Sequence, residues 1–192
     1  MRICVYGASS NSIDPLYMEA VEQMGLQLAN RGHSLVFGAG RHGLMGAVAR
    51  GTRRGGGKIL GVVPKFFGEM DVEILYPDCD ELIQPDTMRQ RKQIMEENAD
   101  AFVMVPGGIG TFEEFFEILT ARQLCLHNKP IAIYNVNNYY TQLDRTIRVA
   151  MEQGFVQPEV LDLYHLTDDA SDLFRYLETD STRHDLKDLK NG

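Results

Sequence analysis

The amino-acid sequence predicts an α/β fold, specifically a Rossmann-like, doubly wound parallel sheet with helices on both faces. Short β-branched runs such as RICVYG (2–7) and PIAIY (130–134) alternate along the chain with longer segments of helical periodicity. That alternation is typical of parallel sheets covered by crossover helices. Glycine-rich segments also follow three of the strands, at the sheet edge where such folds bind ligands.

The elements can be assigned in order along the chain. Strands are predicted at residues 2–7, 33–38, 58–63, 101–105 and 130–134, and helices near 15–31, 44–55, 88–98, 112–127, 139–153 and 170–178. No internal repeat and no linker rich in proline, glycine or serine divides them, so we expect one domain over residues 1–179. Residues 180–192 are polar and lack a strong apolar stripe, which predicts a flexible C-terminal tail.

Composition narrows the classes of partner. The chain has 19 basic and 27 acidic residues, a net charge of −8, which argues against binding to nucleic acid or to an anionic membrane surface. The sequence predicts no signal peptide and contains no apolar run of about 18 residues. Its three cysteines form no paired motif, and its five histidines show no metal-ligand spacing. We therefore expect a cytoplasmic protein that acts on a small molecule without a metal.

The glycine segments predict one phosphate-binding cleft, and they are GASS (7–10), GAGRHGLMG (38–46) and PGGIGT (106–111). Glycine lets backbone amides approach an anion, and the start of the following helix adds partial positive charge. Gly38, Gly40 and Gly43 also match the dinucleotide fingerprint, but residues 58–68 lack the acidic residue that would hold a ribose hydroxyl. A mononucleotide phosphate is therefore favoured over NAD, with a purely structural tight turn as the other interpretation.

The predicted helix over residues 88–98 places an arginine on its buried face. At about 100° per residue, Arg91 falls within an apolar arc formed by Ile94, Met95 and Ala99. A buried guanidinium requires a partner, because an unpaired charge in the interior is costly. That partner is either a structural carboxylate or the phosphate or ribose of a ligand, for which the planar guanidinium is well suited.

The two carboxylates that follow Thr111 allow two interpretations. The segment matches a capping box with Thr111 as the N-cap and Glu114 at the third helical position, just as Thr87 and Gln90 do for the preceding helix. Alternatively, Glu114 lies on the packed side of its helix beside the anion loop, whereas Glu113 faces the other way. The helix dipole would favour the ionised form of Glu114, and an ionised carboxylate suits an oxocarbenium-like transition state.

Five segments together resemble the LOG (LONELY GUY) family of cytokinin riboside 5′-monophosphate phosphoribohydrolases, some of which were labelled possible lysine decarboxylases. They are GASS, ANRGHSLVFGAGRHGLMGAVA, MRQRK, PGGIGTFEE and LTARQLCLHNKPIAIYNVNNYY. The resemblance runs from about residue 2 to 157, and M-x-x-R-K and P-G-G-x-G-T-x-x-E carry most of it. It implies a nucleotide-binding homodimer, without a cofactor, that hydrolyses the N-glycosidic bond of N6-modified adenosine 5′-monophosphates or of AMP. The products would be free base and ribose 5-phosphate.

The resemblance also implies roles for individual residues. Arg91 and Glu114 take the family's catalytic positions, the same two residues that the helical geometry singles out. Substrate contacts are implied for both and for Met88, Lys92, Gly107, Gly108, Ile109, Gly110, Thr111, Glu113 and Thr120. Four positions depart from the family pattern: Ala8, Ala39 and Cys125 stand where glycine is common, and Ala121 stands for a frequent tryptophan.

Two other functions are weighed against this one. A non-catalytic protein that binds a nucleotide or a phosphorylated cofactor would use the same loops, but it would not need the arginine and glutamate pair. Dependence on NAD(P) is disfavoured by the missing ribose acid. A decarboxylase has no support either, because the lysines of the motif region lack the setting of a pyridoxal site.

Overall fold

The fold is built on one parallel sheet of seven strands, seen in a computed structural model that describes residues 1–69 and 74–180. The strands are β1 (Arg2–Tyr6), β2 (Ser34–Phe37), β3 (Ile59–Val62), β4 (Glu81–Ile83), β5 (Ala101–Met104), β6 (Ile131–Tyr134) and β7 (His165–Thr167). The helices are α1 (Pro15–Asn30), α2 (Gly43–Arg54), α3 (Lys65–Glu69), α4 (Met88–Asn98), α5 (Ile109–Gln123), α6 (Thr141–Glu152) and α7 (Ala170–Thr179). Within the described residues, no helix has the length and apolar character needed to cross a membrane.

Side chains of the central strands alternate between two hydrophobic cores, one on each face of the sheet. In β1, Ile3 and Val5 pack into the core formed with α1, α2 and α7, while Cys4 and Tyr6 pack into the core formed with α4, α5 and α6. This alternation follows from the two-residue period of a strand. Because helices cover both faces, the central strands are apolar throughout and the fold is doubly wound.

The strand order is β4-β3-β2-β1-β5-β6-β7, so the chain winds outward from β1 in both directions. The strands β1 and β5 are neighbours, with Tyr6 paired to Met104 at their carboxyl ends. The connections leaving these two strands diverge to opposite sides, which opens a crevice between them. The loops of residues 7–10 and 105–108 border this crevice.

The predicted fold class is confirmed, and each of the five predicted strands is present to within one residue at either end. The strands β4 and β7 and the helix α3 were missed because they have three to five residues each, too few to show a period. The prediction for α5 was wrong at both ends, since the helix runs over Ile109–Gln123 rather than over residues 112–127. The capping box of α4 is present, with Thr87 and Gln90 as expected.

A buried arginine, Arg122 of α5, ties the end of the described chain to the domain. Its Nη2 lies 2.6 Å from Oδ2 of Asp180, and their side chains are 0% and 4% exposed. Its Nη1 donates to the carbonyl of Leu163. The sequence assigned Asp180 to the polar tail, and in the structure its carboxylate neutralises a fully buried guanidinium. The flexibility of the tail stays a prediction. Residues 181–192 of the predicted tail lie outside the described residues.

Helices α1 and α2 cross at glycines, which lets their backbones approach closely. A Cβ at Gly51 would lie 1.9 Å from the carbonyl oxygen of Glu22, and a Cβ at Gly25 would lie 2.4 Å from that of Val48. Both neighbours are backbone atoms, so relief would require the helices to separate. The packing of the two helices therefore depends on these glycines.

We expect Gly51→Ala to lower the free energy of unfolding by about 2 kcal/mol or more, because the added methyl group forces α1 and α2 apart. Urea denaturation monitored by circular dichroism measures this change. Gly110→Ala is the matched control, because a Cβ there has nothing within 4 Å, and alanine favours helix by up to about 1 kcal/mol. Equal stability losses in the two variants would contradict the helix-crossing explanation.

Candidate active site

A cleft of about 390 Å³ lies at the carboxyl ends of β1 and β5, in the crevice where the connections from these two strands diverge. Its walls come from the loop after β1, the end of β2, the start of α4 and the first turns of α5. The lining residues are Val5, Tyr6, Gly7, Ala8, Ser9, Ser10, Gly38, Met45, Phe67, Met88, Arg91, Gly108, Gly110, Thr111 and Glu114. The three glycine segments do converge on one cleft, as the sequence predicts, but only some of their residues reach it.

The cleft contains a nearly buried ion pair. Nη1 of Arg91 donates to Oε1 of Glu114 at 2.8 Å, and each side chain is only 12% exposed. Nε of Arg91 donates to the carbonyl oxygen of Val62, so the end of β3 also orients the guanidinium. The pair joins α4 to α5 across the cleft. The predicted inward position of both side chains is therefore present in the structure.

Gly38 provides the space that the guanidinium occupies. A Cβ at this position would lie 2.3 Å from Nη2 of Arg91, well inside van der Waals contact. Gly43 has a different role: its φ is +56°, and a Cβ there would lie 2.6 Å from the carbonyl oxygens of Ala8 and Ser10. Two glycines of the apparent dinucleotide fingerprint are thus explained by internal packing, without an NAD site.

The first turn of α2 has little capacity left to bind an anion. The amide of Gly43 donates to Oδ1 of Asn11, and the amide of Leu44 donates to the carbonyl of Ala8. These are amides that a phosphate at a helix start would use. The sequence-based expectation that the second glycine segment cradles phosphate does not fit this arrangement, because protein groups already occupy its donors.

The first turn of α5 differs in this respect. Gly108 is the N-cap, and Phe112 donates to the carbonyl of Gly108 to close the first turn. Within the part of the chain that the structure describes, the amides of residues 108–111 donate to no protein acceptor. Gly108, Gly110 and Thr111 line the cleft. This helix start can therefore offer backbone donors and partial positive charge to an anion.

The capping-box interpretation of Glu114 was wrong. Thr111 is the third residue of α5 and 4% exposed, so it lies inside the helix and Glu114 is the sixth residue. At that depth Glu114 cannot return to cap the first amides. Its carboxylate instead faces the cleft and Arg91.

Burial raises the pKa of Glu114 above its usual value, although Arg91 and its hydrogen bond act in the opposite direction. The helix dipole was expected to favour the ionised carboxylate. Its influence is confined to the first turn, and the loss of water around a side chain this deep outweighs it. The site thus holds a carboxyl group that takes up a proton more readily than an exposed glutamate.

Five of the predicted contact residues lie away from the cleft. Lys92 forms ion pairs with Glu113 at 2.5 Å and with Glu117 at 2.9 Å on the outer side of the α4 and α5 contact. Ile109 is 82% exposed and Thr120 is also exposed. The carbonyl of Gly107 turns away from the cleft. The structure therefore brings together Met88, Arg91, Gly108, Gly110, Thr111 and Glu114.

Several lining residues were not predicted. Ser9 and Ser10 belong to the first glycine segment and could have been inferred from it, since their hydroxyls follow β1 directly. Phe67 lies on α3, a helix too short to recognise from its sequence. Tyr6 and Met45 gave only the signal of core residues. In the described ranges, no group of three histidine, cysteine, aspartate or glutamate side chains has metal-binding geometry.

Ala39 and Cys125, at two positions where the resemblance implies glycine, adopt a left-handed backbone. The φ angles are 61° for Ala39 and 55° for Cys125. Cys125 follows α5, where its amide donates to the carbonyl of Arg122 and that of Leu126 donates to Ala121, which is a Schellman motif. These substitutions keep the backbone conformation that glycine would adopt most easily.

Sequence comparison relates the chain to a family and to named proteins. A family described as "Possible lysine decarboxylase" matches residues 45–177. The chain is 41% identical over 177 residues to the cytokinin riboside 5′-monophosphate phosphoribohydrolase LOG7 of Arabidopsis thaliana, covering 92% of this chain and 81% of that protein. It is also 41% identical to the probable cytokinin riboside 5′-monophosphate phosphoribohydrolase LOGL5 of Oryza sativa subsp. japonica, covering 92% of this chain and 71% of that protein.

Solved structures show the same fold at lower identity. The molybdenum cofactor carrier protein of Chlamydomonas reinhardtii superposes with a TM-score of 0.69 at 19% identity, covering 92% of this chain and 95% of that one. The molybdenum cofactor binding protein of Rippkaea orientalis gives 0.68 at 15% identity, with 93% and 94% covered. These similarities confirm the Rossmann-like fold alone. The family model and the sequence relatives go further: the chain belongs to the LOG family, that of the cytokinin riboside 5′-monophosphate phosphoribohydrolases.

Proposed function

We propose that this protein hydrolyses the N-glycosidic bond of adenosine 5′-monophosphates, with or without an N6 substituent, to free base and ribose 5-phosphate. The Arg91–Glu114 pair is the observation that carries the proposal, because its nearly buried carboxylate faces a cleft in which the start of the same helix offers backbone amides to an anion. The relatives named as phosphoribohydrolases support the same reaction. As proposed, the enzyme acts in the cytoplasm as a homodimer.

The reaction breaks the bond between C1′ of the ribose and N9 of the base. As the electron pair leaves with the base, positive charge develops on C1′ and on the ring oxygen. The carboxylate of Glu114 stabilises that charge and accepts a proton from the attacking water, whose oxygen forms the new bond to C1′. The departing base takes up one proton at nitrogen, which balances the proton that the water gives to Glu114, so the base leaves as the neutral molecule.

The phosphate of the substrate fixes the position of the ribose. In this proposal the free amides of residues 108–111 bind the phosphate oxygens, and the guanidinium of Arg91 holds the ribose and the carboxylate in register. Enzymes lower the uncatalysed barrier by about 8 kcal/mol or more, which exceeds what one carboxylate supplies. Binding energy from the phosphate must therefore contribute to positioning at C1′.

A non-catalytic carrier of a nucleotide or phosphorylated cofactor is the second candidate, and the fold of the molybdenum cofactor carrier protein motivates it. A carrier would have no use for a carboxylate at C1′. Only the hydrolytic function requires Arg91 and Glu114. The fate of the ligand distinguishes the two functions, because a carrier would leave it intact after mixing. Chromatography of AMP after incubation with the protein separates intact nucleotide from adenine and ribose 5-phosphate.

We expect Arg91→Ala and Glu114→Gln each to lower kcat for AMP hydrolysis by about 10²- to 10³-fold, as loss of a charge-stabilising group does in other enzymes. Ribose 5-phosphate release measures the rate, with isopentenyladenosine monophosphate as a second substrate. Arg89→Ala and Glu117→Gln are matched controls on the exposed faces of the same helices and should keep wild-type rates. No product from either nucleotide with the wild-type protein would refute the proposed reaction.

The raised pKa of Glu114 predicts opposite effects of pH on activity and stability. Because its folded-state pKa exceeds the ordinary value of 4.5, the folded protein binds the proton more tightly than the unfolded chain. Its contribution to stability is therefore fully present below pH 4.5 and is lost as pH rises through the raised value. Activity should increase over the same interval as the carboxylate ionises.

This linkage is tested by urea unfolding of the wild type and of Glu114→Gln from about pH 4, near the ordinary pKa of 4.5, up to about pH 8. The stability of the wild type relative to the variant should fall as pH rises. The acid limb of kcat/KM should lie above pH 4.5. A stability difference that grows with pH would show that the pairing with Arg91 outweighs burial.

We expect Gly38→Ala to reduce activity nearly as much as Arg91→Ala, because the new methyl group displaces the guanidinium. The neighbour is the end of a flexible side chain, so the fold should lose at most about 1 to 2 kcal/mol. Steady-state kinetics and urea unfolding of the same preparation measure both effects. Full activity in Gly38→Ala would mean that the position of Arg91 seen here is not needed for hydrolysis.

A further inference from the structure

We propose that Tyr139 is a positioning residue for the phosphate-binding loop, and that its hydroxyl sets the direction of the Gly108 amide. This inference rests on the proposed function of that loop. Tyr139 lies in the connection between β6 and α6, outside the cleft, and it contacts the loop from behind. Its hydroxyl donates to the carbonyl oxygen of Gly107 at 2.8 Å.

Three successive carbonyls of the loop are anchored, each by a different group. The hydroxyl of Tyr140 donates to Val105 at 2.8 Å, and the amide of Ala8 donates to Pro106 at 3.1 Å. Tyr139 completes the series at Gly107. Every carbonyl between the end of β5 and the N-cap of α5 is thereby held by a protein donor.

The anchor on Gly107 fixes the next amide through the geometry of the peptide bond. In a trans peptide the carbonyl oxygen and the following N–H point in opposite directions across one rigid plane. The carbonyl of Gly107 points toward Tyr139, so the N–H of Gly108 points to the other side, where Gly108 lines the cleft. A hydroxyl behind the loop thus determines where a donor inside the cleft is aimed.

Packing alone does not hold the loop in this position. A second cavity, of about 240 Å³, lies behind Gly107 and Gly108 and is bordered by Tyr17 and Tyr139. Neither glycine carries a side chain that would fill it. Because the loop has space to move on that side, the hydrogen bonds from Tyr139 and Tyr140 supply the constraint that a packed core would otherwise provide.

The segment that carries the tyrosines is itself held in a costly conformation. Asn137 and Asn138 both have left-handed backbones, with φ of 51° and 58°. Asparagine is among the few residues other than glycine that adopt this region. The side-chain oxygen of Asn135 accepts the amide of Tyr140 at 2.7 Å and closes the turn. Strain of this kind persists where the surrounding structure imposes it and is frequent beside functional sites.

Tyr139→Phe tests the inference, since it keeps the ring and removes only the hydroxyl. Tyr139 is 45% exposed, so the thermal midpoint should not change. Binding of ribose 5-phosphate, measured by calorimetry, should weaken about fivefold, the effect of one hydrogen bond. Binding of adenine, which lacks a phosphate, should stay the same. Tyr17→Phe, on the ring that packs edge-on against Tyr139, should behave as wild type.

These binding measurements test the role of Tyr139 without depending on catalysis. Wild-type affinity for ribose 5-phosphate in Tyr139→Phe would overturn the inference, and so would equal weakening for adenine or a wild-type protein that binds no ribose 5-phosphate. Because the measurement uses a ligand that is not turned over, it remains valid if AMP proves not to be hydrolysed. In that event the hydrolytic proposal fails while selective weakening in Tyr139→Phe still supports the positioning role.

Discussion

Removing a guanidinium and a carboxylate from water is costly unless each neutralises the other, and the Arg91–Glu114 pair meets this condition in the cleft. The rest of the site is arranged around it. Helix α4 supplies one partner and α5 the other, β3 orients the guanidinium through a carbonyl, and the glycine that follows β2 leaves room for it. Burial still raises the pKa of the carboxyl group, so the pairing does not fully compensate for the loss of water.

The positive and negative groups of the cleft that belong to α5 lie at different positions along the helix. The glutamate lies at the sixth residue of α5, beyond the first turn, where the helix dipole has little influence. The amides that can bind an anion lie at the start of the same helix. In the proposed function, one helix provides a positive end for a phosphate and, about one turn further on, a negative group for the sugar. This division would account for the spacing between the glycines and the glutamate in PGGIGTFEE.

The sequence predicted the fold class, the long elements and the inward direction of Arg91 and Glu114, because those features depend on hydrophobic period. It did not predict β4, β7 or α3, which are too short to have one. It also assigned a cap to Thr111 and a phosphate to the loop at Gly43. The cap was wrong because α5 begins at Ile109, two residues before Thr111. The phosphate loop was wrong because Asn11 and Ala8, far away in the chain, accept hydrogen bonds from the amides of Gly43 and Leu44. Reaction type came from resemblance to a family rather than from geometry.

The lack of space at Gly38 constrains the order in which this site can change. Any larger residue there collides with the guanidinium as long as Arg91 is present. A lineage that keeps the guanidinium in this position therefore retains glycine at position 38, whereas one that loses the arginine is released from the restriction. A side chain at position 38 would consequently mark a descendant in which the guanidinium had moved from its place or been lost.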